Sequence, residues 1–275
     1  MTARRASSAA SRRQVPTVLV VAGSDPTGGA GLQADLKTLE WFGVASAAAV
    51  SALTVQTATR VRASYPVPAP TLRAQLAAVS ASISPRVVKC GLLASAANVR
   101  VVADFVARRR CALVVDPVTA ASGGGARLAA TELGDALVEI LFPLASVVTV
   151  NLAEASKLCG GEVTDENAMG DAARTIAALG PRAVVVKGGH LAGPPVDVLY
   201  HAGRIRRFPG VRTPGSMHGT GCAFASAVAA GMALGRGLAR AVEDAGAHVR
   251  ALLAVSVRTR DGGRLRRPLS AGKMR

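Results

Sequence analysis

The sequence predicts an α/β fold in which a mostly parallel central sheet carries helices on both faces, as in a three-layer sandwich. Short apolar, strand-like runs alternate with helix-like stretches along nearly the whole chain, and this alternation is typical of parallel sheets covered on both faces. Polar or glycine-containing clusters follow six of the strand-like runs. Open α/β sheets bind their ligands at those strand ends, so the pattern also predicts a ligand site.

The predicted elements follow from apolar spacing and from glycines. Residues 17–22 read as a buried strand that enters the glycine-rich loop 23–31. In residues 32–42 the leucines have helical spacing, and Gly43 ends the helix. Residues 198–208 read as an antiparallel hairpin around Ala202-Gly203 near one sheet edge. The other predicted strands are 44–55, 87–91, 112–116, 146–151 and 183–188, and the other predicted helices are 72–83, 98–110, 129–141 and 166–179.

The segment Met217-His218-Gly219-Thr220-Gly221-Cys222 precedes a small-residue run that reads as a tightly packed helix up to Gly235. Its glycines allow backbone N–H groups to approach a ligand closely. Such a helix start offers unpaired donors and the positive end of the helix dipole, which together bind anions. A thiol in the first turn is stabilised as thiolate, so Cys222 is a candidate base or nucleophile. The pattern indicates phosphoryl transfer, and a glycine turn before a buried helix is the structural alternative.

Length and composition fit one soluble domain of this class. A chain of 275 residues can bury a large core without disulfides or metals. Half of the residues are apolar but only 3% are aromatic, which favours close packing of helices on a sheet. The longest apolar run, 219–235, is short for a bilayer span and is interrupted by glycines, which argues against a membrane protein. Four scattered cysteines without a C-x-x-C pair are typical of reduced intracellular thiols.

The net charge of +16 comes mostly from arginine, and much of it lies near the two ends of the chain. A specific nucleic-acid protein would carry a basic stripe, often with stacking aromatics, and no such interleaving is present. Weak binding of RNA or acidic lipid by the basic ends is a minor alternative. Arg108-Arg109-Arg110 is expected to end a helix, where cations suit the helix dipole.

The ends of the chain are expected to lie outside the folded domain. Residues 1–15 contain Ser, Ala and Arg with no acidic residue, a composition that suits a disordered basic tail or an organellar transit peptide, and we favour a tail of a cytoplasmic protein. Residues 16–258 are predicted to form one folded α/β domain, and 259–275 a second basic tail. The last fifteen residues are expected to be unpacked.

The clusters at the strand ends carry groups suited to phosphate chemistry. A lysine before two glycines, as at Lys187, suits a phosphate contact, and the spacing Asn151-x-x-Glu154 is suited to orienting waters around Mg²⁺. Capping of a turn by Asp25 and of a helix by Asn151 are the structural alternatives. We interpret His190 and His218 as structural or loop histidines. The clusters are Asp25, Gln56, Lys89-Cys90-Gly91, Asp116-Pro117-Val118, Asn151 with Glu154, and Lys187 to His190.

In this order the clusters resemble the ribokinase-type small-molecule kinases, and specifically the hydroxymethylpyrimidine/phosphomethylpyrimidine kinases of thiamine biosynthesis. The resemblance spans about residues 18–245. A lone glycine loop would be weak evidence, whereas an ordered series of seven motifs is highly specific. These motifs lie at residues 22–38, 52–57, 89–93, 115–118, 151–154, 186–190 and 218–222.

The resemblance implies a ribokinase-like fold and transfer of the ATP γ-phosphate to the hydroxymethyl group of 4-amino-5-hydroxymethyl-2-methylpyrimidine, and then to its monophosphate. Gln56 matches the family's pyrimidine-binding glutamine, whose amide can donate to and accept from an aminopyrimidine edge. The implied substrate-binding residues are Gly23, Asp25, Gln56, Gly91 and Val118.

The resemblance also implies the catalytic and nucleotide-binding residues, with Mg²⁺ as cofactor and a homodimer as the assembly. Cys222 matches the catalytic cysteine of the family, with backbone donors from Gly219, Thr220 and Gly221. Asn151 and Glu154 match the motif that holds magnesium through water. The implied nucleotide contacts are Asp116, Asn151, Lys187 and Thr220.

Several residues depart from the family pattern and keep two alternatives open. Val150 replaces a usual proline, Thr119 and Leu92 replace usual methionines, and Ala223-Phe224 follows the cysteine. Thr119 and Leu92 bear on the pocket and therefore on pyrimidine preference. Pyridoxal kinase, which shares the fold, is the nearest enzymatic alternative. A ligand-binding regulator without catalytic activity is the second, although Asp25, Lys187, Glu154 and Cys222 argue against it.

Overall fold

The computed structural model describes residues 15–118 and 131–268. Its main sheet has nine strands in the order β3-β2-β1-β4-β5-β6-β7-β8-β9. The strands are β1 (Thr17–Ser24), β2 (Ala45–Gln56), β3 (Val61–Pro66), β4 (Val87–Cys90), β5 (Ala112–Val115), β6 (Val147–Asn151), β7 (Ala183–Lys187), β8 (Val196–His201) and β9 (Arg204–Pro209). Strands β2, β1, β4, β5, β6 and β7 are parallel, whereas β3, β8 and β9 are antiparallel to their neighbours.

Helices cover both faces of this sheet, which confirms the predicted three layers. Alternate residues of each central strand face opposite layers: Val18 and Val20 pack with α1 and α7, whereas Leu19 and Val21 pack with α2 and α3. The helices of one layer are α1 (Gly31–Trp41), α7 (Thr220–Ala233) and α8 (Leu238–Val255). Those of the other are α2 (Ala69–Ser82), α3 (Ala96–Arg109), α4 (Thr131–Ala136), α5 (Leu152–Cys159) and α6 (Glu166–Ala177).

The small residues of α7 have a packing reason. A Cβ atom added at Gly231 would lie 2.6 Å from the Cβ of Ala241 on α8, so the two helices approach more closely than larger side chains would allow. Helix α7 is buried along nearly its whole length. Its first turn is therefore held firmly against the sheet.

Most predicted elements are present, and three segments differ. Strand β3 was not predicted, because the short sequence Val-Arg-Ala-Ser-Tyr-Pro lacks regular apolar alternation. Helix α8 also went unpredicted, although its buried positions recur at helical spacing. The helix predicted at 129–141 begins at Thr131 among the described residues and continues through a π-helical turn, 137–141, and a 3-10 turn, 142–144. Helix α3 ends at the arginine run, as expected, and its C-cap Arg110 has a left-handed conformation.

The expectation that the last fifteen residues are unpacked is wrong for residues 261–268. Strand β10 (Val257–Arg258) pairs with strand β11 (Arg264–Leu265) in a short antiparallel hairpin. The Arg266 guanidinium donates to the Ala34 carbonyl and to Thr38 Oγ1, both at 2.9 Å. A high arginine content hid this packing, because arginine can hydrogen-bond backbone carbonyls while its stem covers apolar surface. Residues 1–14 and 269–275, and with them most of the predicted tails, lie outside the described residues.

Within the part of the chain that the structure describes, none of the helices is both long enough and apolar enough to cross a bilayer.

Candidate active site

A single cavity opens at the carboxyl ends of the parallel strands, and it brings together most of the residues that the sequence singled out. Parallel strands place these ends on one edge of the sheet, so residues far apart in sequence meet there. Among the described residues, the predicted site residues on the cavity wall are Gly23, Gln56, Gly91, Asp116, Val118, Asn151, Glu154, Lys187, Gly219, Gly221 and Cys222. Asp25 and Thr220 do not line it, and Thr119 lies outside the described residues.

The start of α7 forms one end of the cavity. Gly219 precedes the helix with φ +85°, and a Cβ there would lie 2.0 Å from the Gly29 carbonyl oxygen. Only glycine fits this close approach. No side chain caps the helix, and the Ala223 N–H, bonded to the Gly219 carbonyl, is the first backbone donor of the turn with a recorded partner among the described residues. The preceding N–H groups of Thr220, Gly221 and Cys222 are thus available to an anion.

A lysine and two carboxyl groups stand opposite this helix start. Lys187 Nζ lies 3.0 Å from Asp116 Oδ1, and a Cβ on Gly221 would lie 3.4 Å from the same Nζ. Burial alone would lower the pKa of Lys187, but Asp116 and Glu154 outweigh it and raise that pKa. The ammonium group is therefore charged and lies beside the anion-binding turn of α7.

Asn151 and Glu154 form a complete capping box at the start of α5. The Glu154 N–H donates to Asn151 Oδ1 at 2.8 Å, and the Asn151 N–H donates to Glu154 Oε2 at 2.9 Å. One carboxylate oxygen of Glu154 thus remains for a ligand on the cavity side. Burial raises the pKa of Glu154, and Lys187 partly offsets that effect.

The pair fits a magnesium ion only as an outer contact. Among the residues that the structure describes, no group of three or more His, Cys, Asp or Glu side chains could hold a metal ion. Mg²⁺ commonly keeps several waters and is held by one or two carboxylates together with substrate phosphates. The Asn151–Glu154 arrangement agrees with that mode.

Cys222 lies in the first turn of α7 with its exposed surface on the cavity wall. Burial opposes the thiolate that the helix start is expected to favour. Burial raises the pKa of Cys222 to about 12, and the charge of Lys89 lowers it only in part. The thiol is largely removed from water, and this desolvation disfavours its charged form.

Asp25 organises a loop instead of facing the cavity. Its carboxylate is 1% exposed and accepts hydrogen bonds from the N–H groups of Thr27 (2.8 Å) and Ala30 (2.7 Å). His218 Nε2 lies 3.1 Å from Asp25 Oδ2. Burial alone would raise the pKa of Asp25, but His218 and these backbone donors together lower it. The structural alternative for Asp25 is thus the one that the geometry favours.

His218, which the sequence analysis treated as a loop histidine, lines the cavity. Its backbone N–H donates to the Arg264 carbonyl at 3.1 Å, so the C-terminal hairpin holds it in place. Leu265 of that hairpin packs against the loop of Asp25, since a Cβ at Gly29 would lie 2.5 Å from Leu265 Cδ2. The position of His218 directly before Gly-Thr-Gly-Cys was the only sequence signal for this role.

The other end of the cavity suits a flat ring. Thr54 and Gln56 on β2 face it, whereas the alternate residues Leu53 and Val55 face away and are exposed. Val61, Leu92 and Val118 add apolar surface. The contribution of Val61 was missed because strand β3 was missed, whereas Thr54 lies on the predicted strand β2 and within the motif 52–57 but was not singled out. Leu92, a departure from the family pattern, thus lies on the wall of this end of the cavity.

Comparison with known proteins identifies relatives over nearly the whole chain. The phosphomethylpyrimidine kinase family matches residues 25–265. The chain is 41% identical over 239 residues to the hydroxymethylpyrimidine/phosphomethylpyrimidine kinase of Streptomyces coelicolor, covering 85% of this chain and 87% of that protein. It is 42% identical over 259 residues to the thiamine biosynthesis bifunctional protein ThiED of Geobacter sulfurreducens, covering 93% of this chain and 51% of that protein. The chain thus spans about half the length of the bifunctional relative.

Solved structures agree on the fold. The pyridoxal kinase of Bacillus subtilis, solved as an ADP complex, has a TM-score of 0.84 and 31% identity, covering 92% of this chain and 97% of that one. The phosphomethylpyrimidine kinase of Clostridium difficile has a TM-score of 0.74 and 31% identity, covering 86% and 98%. These neighbours confirm the predicted ribokinase-like fold.

Proposed function

This chain belongs to the phosphomethylpyrimidine kinase family, and we propose that it phosphorylates 4-amino-5-hydroxymethyl-2-methylpyrimidine and then its monophosphate, with ATP as the phosphoryl donor. One observation carries this proposal: the uncapped start of α7 and Lys187 lie in the same cavity as Gln56. An anion site at one end and a ring site at the other suit an enzyme that brings a nucleotide phosphate to a hydroxymethyl group on a ring.

The residues of the cavity would act mainly by positioning and by electrostatic stabilisation. The N–H groups of Thr220, Gly221 and Cys222 stabilise the charge that spreads over the γ-phosphoryl oxygens, and the Lys187 ammonium adds a positive charge beside them. Gln56 holds the aminopyrimidine edge through its amide. Because this transition state is loose, alignment of the acceptor hydroxyl contributes more than strong base catalysis.

Asn151 and Glu154 would hold the hydration shell of a Mg²⁺ ion that comes with the nucleotide. The free oxygen of Glu154 and the position of both residues on the cavity wall support this role. Bound Mg²⁺ would neutralise phosphate charge. Asp116 is already bonded to Lys187, so we assign it to orienting the lysine and the nucleotide side of the cavity.

Cys222 is placed to orient the acceptor hydroxyl or to accept its proton. With burial raising its pKa to about 12, the neutral thiol dominates at neutral pH and orientation is its main task. The thiolate, a small fraction, is the form that accepts the proton. Cys222→Ala is expected to lower kcat by about 10²–10⁴ with a smaller effect on KM. A wild-type kcat in this variant would remove Cys222 from the mechanism.

Pyridoxal kinase is the second candidate function, because the Bacillus subtilis pyridoxal kinase is a close structural neighbour of this chain. A coupled ATP assay with hydroxymethylpyrimidine, its monophosphate and pyridoxal as acceptors separates the two. We expect kcat/KM for the pyrimidines to exceed that for pyridoxal. The reverse order would assign the chain to pyridoxal, and no turnover of any acceptor would favour a binding protein without activity.

We also propose that the chain forms a homodimer through the outer face of β2 and β3 and works in the cytoplasm. Leu53 (56% exposed), Val55 (47%) and Tyr65 (60%) lie there side by side, and Leu53 pairs directly with Tyr65. Exposed apolar side chains grouped in this way are typical of interaction surfaces. Sedimentation of Leu53→Glu tests the assembly: a monomer supports it, and an unchanged mass or a monomeric wild type contradicts it.

The proposed location in the cytoplasm agrees with the four free cysteines, because the cytoplasm is a reducing compartment.

A further inference from the structure

Lys89 is a fully buried charge for which the mechanism above has no use. It is the third residue of β4, between valines and a cysteine, and it has no exposed surface. Its ammonium group donates to both oxygens of Asp35 on α1, at 2.8 and 3.0 Å, and Asp35 also accepts from Ser226 Oγ at 2.8 Å. Apolar residues of similar volume usually replace a buried ion pair without loss of stability. Stability alone therefore does not explain the pair.

The pair has a defined orientation. Lys89 lies on the cavity wall, whereas Asp35 and Ser226 do not. Lys89 thus lies next to the cavity, although its ammonium group has no exposed surface, and its carboxylate partner lies farther from the cavity. Space for the amine is kept by Gly91, where a Cβ would lie 3.0 Å from Lys89 Nζ.

Helix α7 connects this pair to Cys222. Ser226 and Cys222 are four residues apart and therefore lie on the same face of the helix, one turn from each other. The hydrogen bond between Ser226 and Asp35 holds that face of the helix against the ion pair. The thiol of Cys222 therefore lies one helical turn closer to the cavity than Ser226. The charged groups that act on this region are Lys89 from β4, Asp35 from α1, Asp116 after β5 and Lys187 from β7.

We propose that Lys89, held by Asp35 and Ser226, is a positioning residue whose ammonium group stabilises the thiolate of Cys222. The proposal rests on the proposed function, since the thiolate has a use only where a hydroxyl is phosphorylated. As the acceptor oxygen bonds to the γ-phosphorus, its proton passes to the sulfur and the bond from the γ-phosphorus to ADP breaks. Among the charged groups, Lys89 has the largest effect in lowering the pKa of Cys222, which agrees with this geometry.

Alkylation of Cys222 by iodoacetamide tests the proposal without any assay of kinase activity. The rate is followed between pH 6 and 10 by the mass of the Cys222 peptide, because Cys111 and Cys159 are also accessible. The double variant Lys89→Gln/Asp35→Asn removes both charges and keeps amide groups that can hydrogen-bond, so the core is not left with one unpaired charge. We expect Cys222 in this variant to react more slowly at pH 8, because Lys89 lowers the pKa of Cys222 more than Asp35 raises it. Each pKa unit corresponds to about a tenfold change in the thiolate fraction.

Two further variants separate this effect from packing. Asp35→Asn keeps Lys89 but removes the carboxylate behind it, and alkylation of Cys222 is expected to be faster than in the wild type. Lys37→Met removes an exposed lysine of the same helix and is expected to leave the rate unchanged. Opposite shifts in the two core variants support the proposal, whereas wild-type or equal rates in both overturn it. If the wild type turns over none of the acceptors, the proposed function fails while the alkylation rates still measure the effect of Lys89.

Discussion

The two halves of the cavity wall satisfy their charged groups in different ways. In the acceptor half, formed by β1, β2 and β4 with the loop after β1, Asp25 is bonded to His218 and backbone donors and Asp35 to Lys89. The phosphate half is formed by the ends of β5 to β7 and the start of α7. Here Lys187 pairs with the carboxylate of Asp116, and the first N–H groups of α7 have no hydrogen-bond partner among the described residues. The charged groups of the acceptor half are paired without a ligand, and we expect an anion to complete the phosphate half.

This difference predicts how each half responds to mutation. Polar groups that are already bonded contribute to stability, and their removal leaves buried partners unsatisfied. Polar groups that have a partner only when a ligand is bound contribute little to the stability of the free protein but much to stabilising the transition state. Changes in the phosphate half should therefore lower kcat with little change in melting temperature, whereas changes in the acceptor half should lower both.

The largest effect is expected for Gly219→Ala. A Cβ at this position would lie 2.0 Å from the Gly29 carbonyl oxygen, so the first turn of α7 must move. Its N–H groups would then no longer point to the same place in the cavity. Loss of one such donor typically costs about 10²–10³ in kcat, and we expect at least about 10³ here. Gly235→Ala is the matched control, because Gly235 follows the same helix with φ +76° and has no atom within 4 Å of an added Cβ. Equal losses of activity in both variants would contradict an anion site at the helix start.

Lys187→Met and Asp25→Asn test the comparison directly. Lys187→Met is expected to lower kcat by about 10²–10³. Its loss of stability should stay below that of Asp25→Asn, because Asp116, although 2% exposed, lines the cavity and keeps the Thr149 hydroxyl at 3.4 Å as a donor. Asp25→Asn replaces a carboxylate that holds a loop and should destabilise the protein by about 1–3 kcal/mol. Steady-state kinetics and thermal unfolding of both variants measure this contrast. A large stability loss in Lys187→Met with none in Asp25→Asn would reverse the assignment of the two halves.

Acid stability should be limited by the helix layer that supports the acceptor half. His248 on α8 is fully buried between Trp41 and Phe42, and neither ring nitrogen has a partner among the described residues. Burial lowers its pKa from 6.5 to about 4, with a smaller effect of Arg266. The unfolded chain therefore binds a proton that the folded chain does not, and stability present above pH 6.5 is lost as the pH falls through 4.

The expected loss attributable to His248 is on the order of 3 kcal/mol across this window. Urea unfolding at pH 7, 5.5 and 4 measures it. His248→Phe keeps an aromatic ring in the same pocket but cannot be protonated, so its unfolding free energy should fall less over the same range. Parallel curves for variant and wild type would show that other groups govern acid unfolding.

How far the sequence predicts this molecule depends on the kind of residue. Apolar strands such as 17–22 and 183–188 are continuous because both faces are buried, and this pattern predicted the central sheet. The motif residues at the strand ends met as expected, because parallel strands bring those ends together. The surroundings of Asp25 and Cys222 could not be read from the sequence, because each depends on residues that lie far away along the chain: Asp25 contacts His218, and burial raises the pKa of Cys222.

The two segments missed at the acceptor half share another cause. Strand β3 is held by its pairing with β2, and the C-terminal hairpin is held by contacts with loops, so neither needs a regular apolar alternation of its own. Thr59 Oγ1, for example, donates to Asp261 at 3.0 Å, and a Cβ at Gly263 would lie 2.8 Å from the Cβ of Ala58. Contacts of this kind leave no periodic pattern of apolar residues in the sequence. The acceptor half is therefore both the part that the fold completes internally and the part that the sequence predicts least well.

The smallest expected effects concern the two ends of the chain, and they test whether the hairpin belongs to the acceptor half. Its residues contact the loop of Asp25, the backbone of His218 and the turn between β2 and β3, so deletion of residues 257–275 should loosen all three segments. We expect KM for the pyrimidine to rise about tenfold while KM for ATP stays nearly constant, since only the segments at the acceptor end of the cavity become less ordered.

Shorter deletions at the two ends of the chain serve as controls. Deletion of 269–275 alone, or of 1–14, should leave both KM values and the melting temperature nearly unchanged, because neither segment has apolar periodicity with which to pack. An equal rise in both KM values after the longer deletion would mean that the hairpin supports the whole domain and not one half of its active site.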